Sequence, residues 1–133
     1  MRQLLAAAFV LVASTACATP PPCHGVIRSL SDARKAALAP AIAEQLHVHK
    51  VDVLQSFQVG TWDIIYVDTH QSDEAFLFYA HDPLTSHYIT LWSGAAMRNE
   101  EQSIKAWTIK NAPGIPVKLA SCFAWHVTKN RDR

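Results

Sequence analysis

Three cysteines, at 17, 23 and 122, constrain this chain more than any other feature, because only the first lies in a segment that export machinery reads. The chain opens "MRQLLAAAFVLVASTACATPPPC". Arg2 precedes an apolar run from Leu4 to Ala13, about half the ~20 residues a membrane-spanning helix needs. A basic start, a short apolar middle and a small-residue ending make a secretory signal. Two endings fit it. Ala16-Cys17-Ala18 is an A-x-A cleavage site, which makes 1–18 the leader and Thr19 the first mature residue. Alternatively, Ser14-Thr15-Ala16-Cys17 resembles a bacterial lipobox, with Ser14 standing where leucine is usual. The leader then ends at 16 and Cys17 becomes a lipidated first residue, tethered by the polyproline run 20–22 in an extended conformation.

Both endings remove or modify Cys17 and leave Cys23 and Cys122. Two thiols in an oxidising compartment read as one disulfide. Closing a loop of roughly 100 residues contributes on the order of 4 kcal/mol in the chain-entropy account. Residues 19–133 have the length of one domain. Half the chain is hydrophobic, enough for a true core. Losing Arg2 takes Lys+Arg from 12 to 11, against 11 Asp+Glu. A near-neutral domain has no bulk attraction for nucleic acid or anionic lipid. All 7 histidines follow the leader, so the domain becomes cationic below about pH 6.

Periodicity predicts α+β architecture. "SLSDARKAALAPAIAEQL" (29–46) reads as a helix capped by Ser29 or Ser31, with Leu38, Ile42 and Leu46 in one stripe widened by Ala41. Pro40 within it predicts a kink or two short helices. Residues 50–59 alternate, with Val51, Val53, Phe57 and Val59 on one side. Gly60-Thr61 turns into a strand over 61–68, and 75–80 and 87–93 follow as strands of an antiparallel meander. A second helix spans 98–112, capped by Asn99 and ended by Pro113-Gly114. Pro116 starts a short helical turn. "CFAWHVT" (122–128) alternates again and predicts a last strand. The expected fold is an N-terminal helix packed on a four- to five-stranded antiparallel sheet, with a second helix before the last strand. The basic tail "KNRDR" reads as a frayed end.

Few residue patterns carry chemistry. His81, Asp82 and His87 flank a turn and are the candidate metal ligands. His47 and His49, with His70 or His126, form a weaker set. Six acidic residues between Asp52 and Asp82 single out no pair for glycoside chemistry. Cys122 with His126 is a nucleophile–base arrangement that the disulfide would consume. The chain has no P-loop, GxGxxG, CxxC, HExxH or GxSxG pattern, so no cofactor is expected. "LWSGAA" (91–96) marks close backbone packing or the approach of a partner. The aromatics are the strongest signal. If the second helix leaves part of the sheet open, Trp62, Tyr66, Tyr88 and Trp92 are partner anchors; if it covers that face, they are core.

The reading that needs least is an exported, non-catalytic protein-binding module, of the inhibitor or immunity kind, facing another envelope or secreted protein. The alternatives are a small periplasmic enzyme or metal protein using His81, His87 and Asp82, and a structural lipoprotein. The intact mass of the native mature protein should match a chain beginning at acylated Cys17 or at Thr19, short of two protons for the paired thiols. A mass that retains Met1 contradicts the export reading.

Overall fold

Four strands in chain order form the sheet, each antiparallel to the next: β1 (Asp52–Val59), β2 (Trp62–Asp68), β3 (Ala75–Tyr79) and β4 (Thr90–Ser93). They appear in a computed structural model that describes residues 10–14 and 21–131. The leader boundary at 16–18 and Cys17 lie outside the described residues. Helix α1 (Asp32–Leu46) precedes the sheet. After it come a 3-10 turn (Arg98–Glu100), helix α2 (Glu101–Asn111), helix α3 (Val117–Trp125) and a wider π-helical turn (His126–Asn130). The fold is α+β, and none of its described helices is long and apolar enough to cross a membrane.

The expected last strand is the principal correction. Residues 122–128 continue α3 and its π turn, so the second helix stands before another helix and not before a strand. The alternation of Phe123, Trp125 and Val127 was a coincidence of a short window. Leu119, Cys122, Phe123, His126 and Val127 are all buried, and their spacing of 3, 1, 3 and 1 is that of one helix face. Pro116 occupies the N-cap position of this helix.

The sheet is covered on both faces, which is why every residue of β3 is buried. On one face, Leu38, Ile42 and Ala43 of α1 pack against Val51, Val53, Ile65, Val67, Leu77 and Tyr79. On the other, Ile104, Leu119, Ala120 and Phe123 of α2 and α3 pack against Phe57, Ile64, Tyr66, Phe76 and Phe78. β1 supplies both layers through a bulge. Val53 pairs with Val67 but Gln55 pairs with Tyr66, so Leu54 is inserted. One extra residue flips all those after it to the other face. Val53 therefore faces α1 while Phe57 faces α3, although plain alternation puts them on one side.

Local chemistry accounts for most element ends. The Ser31 hydroxyl accepts from the Arg34 amide at 3.1 Å and caps α1. The helix runs unbroken past Pro40, which is exposed on its outer side. His47 closes it in the left-handed region, φ 54°. Gly60 takes φ 59° in the two-residue turn joining Val59 to Trp62. Asn99 lies inside the 3-10 turn and is not its cap; the Met97 amide donates to the Glu100 carboxylate there at 2.7 Å.

Cys23 and Cys122 form the expected disulfide, with Cα atoms 4.6 Å apart. It fixes the start of the folded chain to α3. The next residues then run along the free edge of β1. Ile27 and Gln58 exchange both backbone hydrogen bonds at 2.9 Å, and the Arg28 Nε donates to the Ser56 carbonyl at 2.9 Å. This strap covers an edge that would otherwise expose unpaired groups.

Gln45 is the pin between α1 and the long β3–β4 loop. Its Oε1 accepts from the Tyr79 hydroxyl at 2.7 Å, and its Nε2 donates to the carbonyls of Pro83 and Ser86. Gln45→Leu should lower stability by about 2 kcal/mol, because it leaves the buried Tyr79 hydroxyl unpaired. Adding Tyr79→Phe should recover about 1 kcal/mol of that loss in urea melts. A double variant less stable than the sum of the two single changes contradicts this assignment.

Candidate functional site

An open groove of about 820 Å³ lies where the β2–β3 loop, the segment after β4 and the C-terminal π turn converge. Its volume falls within the range of ligand sites. Asp68, Ser72, Asp73 and Glu74 form one wall. Gly94, Ala95, Ala96 and Arg98 form a second, and Val127, Thr128, Lys129 and Arg131 a third. Carboxylates and cations thus share the lining. The small residues of "SGAA" allow the second wall to lie low, and Gly94 turns it with φ 107°.

Behind Arg131 of this lining lies a cluster of aromatic rings that does not itself line the groove. Tyr66 and Phe76 stack at 4.2 Å between centroids, as cross-strand neighbours in the β2–β3 register. Phe76 lies opposite Trp92 on β4. The Arg131 guanidinium carbon is 5.7 Å from the centroid of each of these three rings. Its Nη1 donates to the Gly94 carbonyl and its Nη2 reaches the Tyr66 hydroxyl at 3.5 Å. That hydroxyl in turn donates to Glu74. Burial and then the Glu74 contact push the Tyr66 hydroxyl above its usual pKa, against the opposing pull of Arg131. Lys129 pairs with Glu101 across the neighbouring wall.

His126 lies behind this cluster. It is 1% exposed, sits edge-on to Phe57 at 4.9 Å and to Phe76 at 6.1 Å, and neither ring nitrogen has a hydrogen-bond partner among the described residues. Burial first, then the positive charges of Arg28 and Arg131, pull it down to about 4. Arg28 itself lies 3.5 Å over the Phe57 ring. Across the sheet, buried Asp63 is pushed up to about 6 by burial, although the Ser56 hydroxyl donates to it at 2.8 Å and Arg34 attracts its charge.

The four aromatics named from the sequence do not gather on one surface. Tyr66 is buried in the cluster behind Arg131 and Trp92 is half-buried beside it. Trp62 is half-buried on the same layer, against Gly114. Tyr88 packs on the α1 layer, on the other side of the sheet. The covered face is the core arrangement, since α2 and α3 together close what α2 alone would leave open.

The metal candidates are held in other contacts. Asp82 accepts from the Leu84 amide at 2.9 Å and from Arg34 at 3.1 Å. These contacts, the Leu84 amide foremost, hold its carboxyl below the usual range. The His87 Nδ1 lies 2.8 Å from the Tyr88 carbonyl, and His81 is exposed at the other end of the loop. Among the described residues no group of three or more His, Cys, Asp or Glu is placed to hold a metal ion. His70, with φ 60°, lies between Asp52 at 2.6 Å and Asp68 at 3.5 Å. His47 and His49 are exposed at the end of α1, and His126 lies in the opposite layer.

Sequence reasoning missed Arg98, Lys129 and Arg131 in the groove lining, and it named His126 and Glu74 only as members of other sets. The helical spacing from Leu119 to Val127 would have placed His126 in the core and carried Arg131 back toward the sheet. No protein-family model matches the chain, and neither a curated protein nor a solved structure is significantly similar to it.

The two buried titrating groups act in opposite senses. His126 has a folded pKa of about 4 against an ordinary 6.5, so the unfolded chain binds more protons and stability falls as pH drops through that window. Asp63 has a folded pKa of about 6 against 3.8, so the folded state binds more protons and stability falls as pH rises from 3.8 to 6. Relative to wild type, His126→Leu should tilt stability toward low pH between 4 and 6, and Asp63→Asn should tilt it toward high pH. Denaturant midpoints measured across that range check this; tilts of the same sign in both variants contradict it.

Proposed function

We propose that this chain is an exported binding module that docks a partner protein in the groove between the β2–β3 loop and the C-terminal turn. The observation that carries the reading is an open groove whose lining carries charges of both signs. Asp68, Asp73 and Glu74 share this lining with Arg98, Lys129 and Arg131. A surface of both signs is how protein interfaces set partner choice and register. The bridge between Cys23 and Cys122 supports an oxidising compartment. The exposure of Val10, Leu11 and Val12, at 81%, 92% and 82%, supports a leader that contributes nothing to the core.

In this role the domain needs rigidity and a surface, and no catalytic set. The sheet is buried on both faces and the start of the folded chain is covalently joined to α3, so the groove walls are held in place before a partner arrives. Preorganisation of this kind limits the entropy lost on binding. An inhibitor or immunity protein that blocks a hydrolase in the envelope matches these properties. Of the aromatics named from the sequence, Tyr66 and Trp92 lie behind Arg131 of this groove without lining it. Trp62 and Tyr88 lie away from it.

Affinity capture from envelope extract with the mature protein as bait should recover one stoichiometric partner. The double charge reversal Asp73→Lys with Arg98→Glu should abolish recovery without altering the melting temperature. Equal recovery by the variant moves the interface elsewhere, and repeated empty captures remove the binding reading.

A further inference from the structure

We propose that the C-terminal turn 126–131 is an acid-released latch, in which protonation of the buried His126 lifts the turn off the sheet, removes one wall of the groove and frees a docked partner. The freeing of a partner rests on the docking reading above; the opening of the turn does not. His126 is 1% exposed and stands edge-on to Phe57 of β1 at 4.9 Å and to Phe76 of β3 at 6.1 Å. Neither of its ring nitrogens has a hydrogen-bond partner among the described residues. The neutral ring has one N–H without an acceptor; the imidazolium has two. Phe57, Phe76 and, one turn earlier in α3, Cys122 and Phe123 bring no charge to it. The charges that act on it are Arg28 from the N-terminal strap and Arg131 from the end of the turn, and both are positive. No carboxylate among the described residues offsets them. Asp63, the other buried acid-range group, lies across the sheet in its hydrogen bond from Ser56. An unpaired charge in such a place costs far more than one in water, so the ring that takes up the proton is one that has left its seat.

The opening is bounded on one side. Cys122 is bridged to Cys23, and Phe123 is held edge-on by Phe76, Phe78 and Trp92. α3 is anchored up to that point, and the anchoring stops there. The π turn that follows is a rare conformation found mostly at functional sites. Its face toward the core is His126, Val127 and Thr128, so a charged His126 removes much of what seats it. Its other contacts are few. Lys129 pairs with Glu101, and Arg131 donates to the Gly94 carbonyl and reaches the Tyr66 hydroxyl. A partly exposed ion pair adds little, and segments with few buried contacts open ahead of the rest of a domain. Val127, Thr128, Lys129 and Arg131 are the third wall of the groove. Opening the latch therefore dismantles the groove and leaves the sheet, α1 and the bridged part of α3 in place. The folded pKa of His126, about 4 against an ordinary 6.5, sets the range over which acid drives the opening.

Amide hydrogen exchange of the full mature protein, followed by NMR from pH 7 to about pH 4.5 with no partner present, tests the latch. Wild type, His126→Leu and His126→Phe are compared, so that Asp63 titrates in all three. In wild type, protection factors at amides 127–130 should fall by an amount approaching tenfold per pH unit below about pH 6. Protection at 119–123 and in β2 should hold over the same range, and both apolar variants should keep their protection at 127–130. Constant protection in wild type overturns the proposal, as does an equal loss in either folded variant. Loss at 119–123 in step with 127–130 also overturns it, because that is global unfolding. If neither variant folds, the comparison of the two segments in wild type decides alone. Partner captured at neutral pH should leave wild-type bait at pH 5 and stay on His126→Leu; retention by both overturns the release. Empty capture at every pH removes the docking reading and leaves the latch standing on its exchange data.

Discussion

The fold depends on Phe123 seated in the aromatic face of the sheet. Its ring meets Phe76 at 5.1 Å, Phe78 at 4.9 Å and Trp92 at 5.6 Å, all edge-on. Such pairs add to the burial of each ring, and emptying a fully buried phenylalanine site costs about 3–5 kcal/mol. The consequence is positional as well as energetic. With Phe123 fixed, Cys122 stands beside Cys23, His126 turns inward one helical turn later, and the chain emerges at the groove with Arg131 over the rings that Phe123 braces from the other side.

The second constraint is a sheet with two buried faces built from a short meander. β2 and β3 meet it by being apolar throughout. β1 meets it by its bulge, which lets one strand feed Val53 to α1 and Phe57 to α3. The strap from Cys23 through Arg28 then passes from the α3 layer to the α1 layer around the edge of β1. One covalent bond therefore ties together the N-terminal strap, the edge strand and the last helix. Buried polar groups concentrate at the margins of this arrangement. Asp63 is satisfied by Ser56, while neither ring nitrogen of His126, held between aromatic rings, has a hydrogen-bond partner among the described residues.

Much of this was legible in the residues. The cysteine arithmetic paired Cys23 with Cys122, as found. Strict alternation in β2 put Ile64 and Tyr66 opposite Ile65 and Val67, as found. The Ser31 cap and the Gly60-Thr61 turn were local signals with local causes. What failed were readings that needed a longer window or a third dimension. The bulge at Leu54 breaks the alternation without marking it in composition. α3 is buried on several sides, so its hydrophobic residues are dense enough to mimic a strand over seven positions. Misreading that element left Arg131 in a frayed tail and hid the groove, since neither Glu74 nor Arg98 has a spacing that predicts their meeting. Of "LWSGAA", Gly94, Ala95 and Ala96 line that groove, and Gly94 has open space where a side chain would sit, so close backbone packing is not its role.

The proposed function rests on the same geometry. A groove lined by charges of both signs, with Arg131 lying against the aromatic cluster behind it, exists only if the C-terminal segment is a helix that returns to the sheet. The most direct measurement is the NMR assignment of residues 117–130. The account predicts helical Cα secondary shifts throughout that stretch and NOEs from the Phe123 ring to Phe76 and Trp92. Strand-like shifts across 122–128, or a Phe123 ring without those contacts, would contradict it.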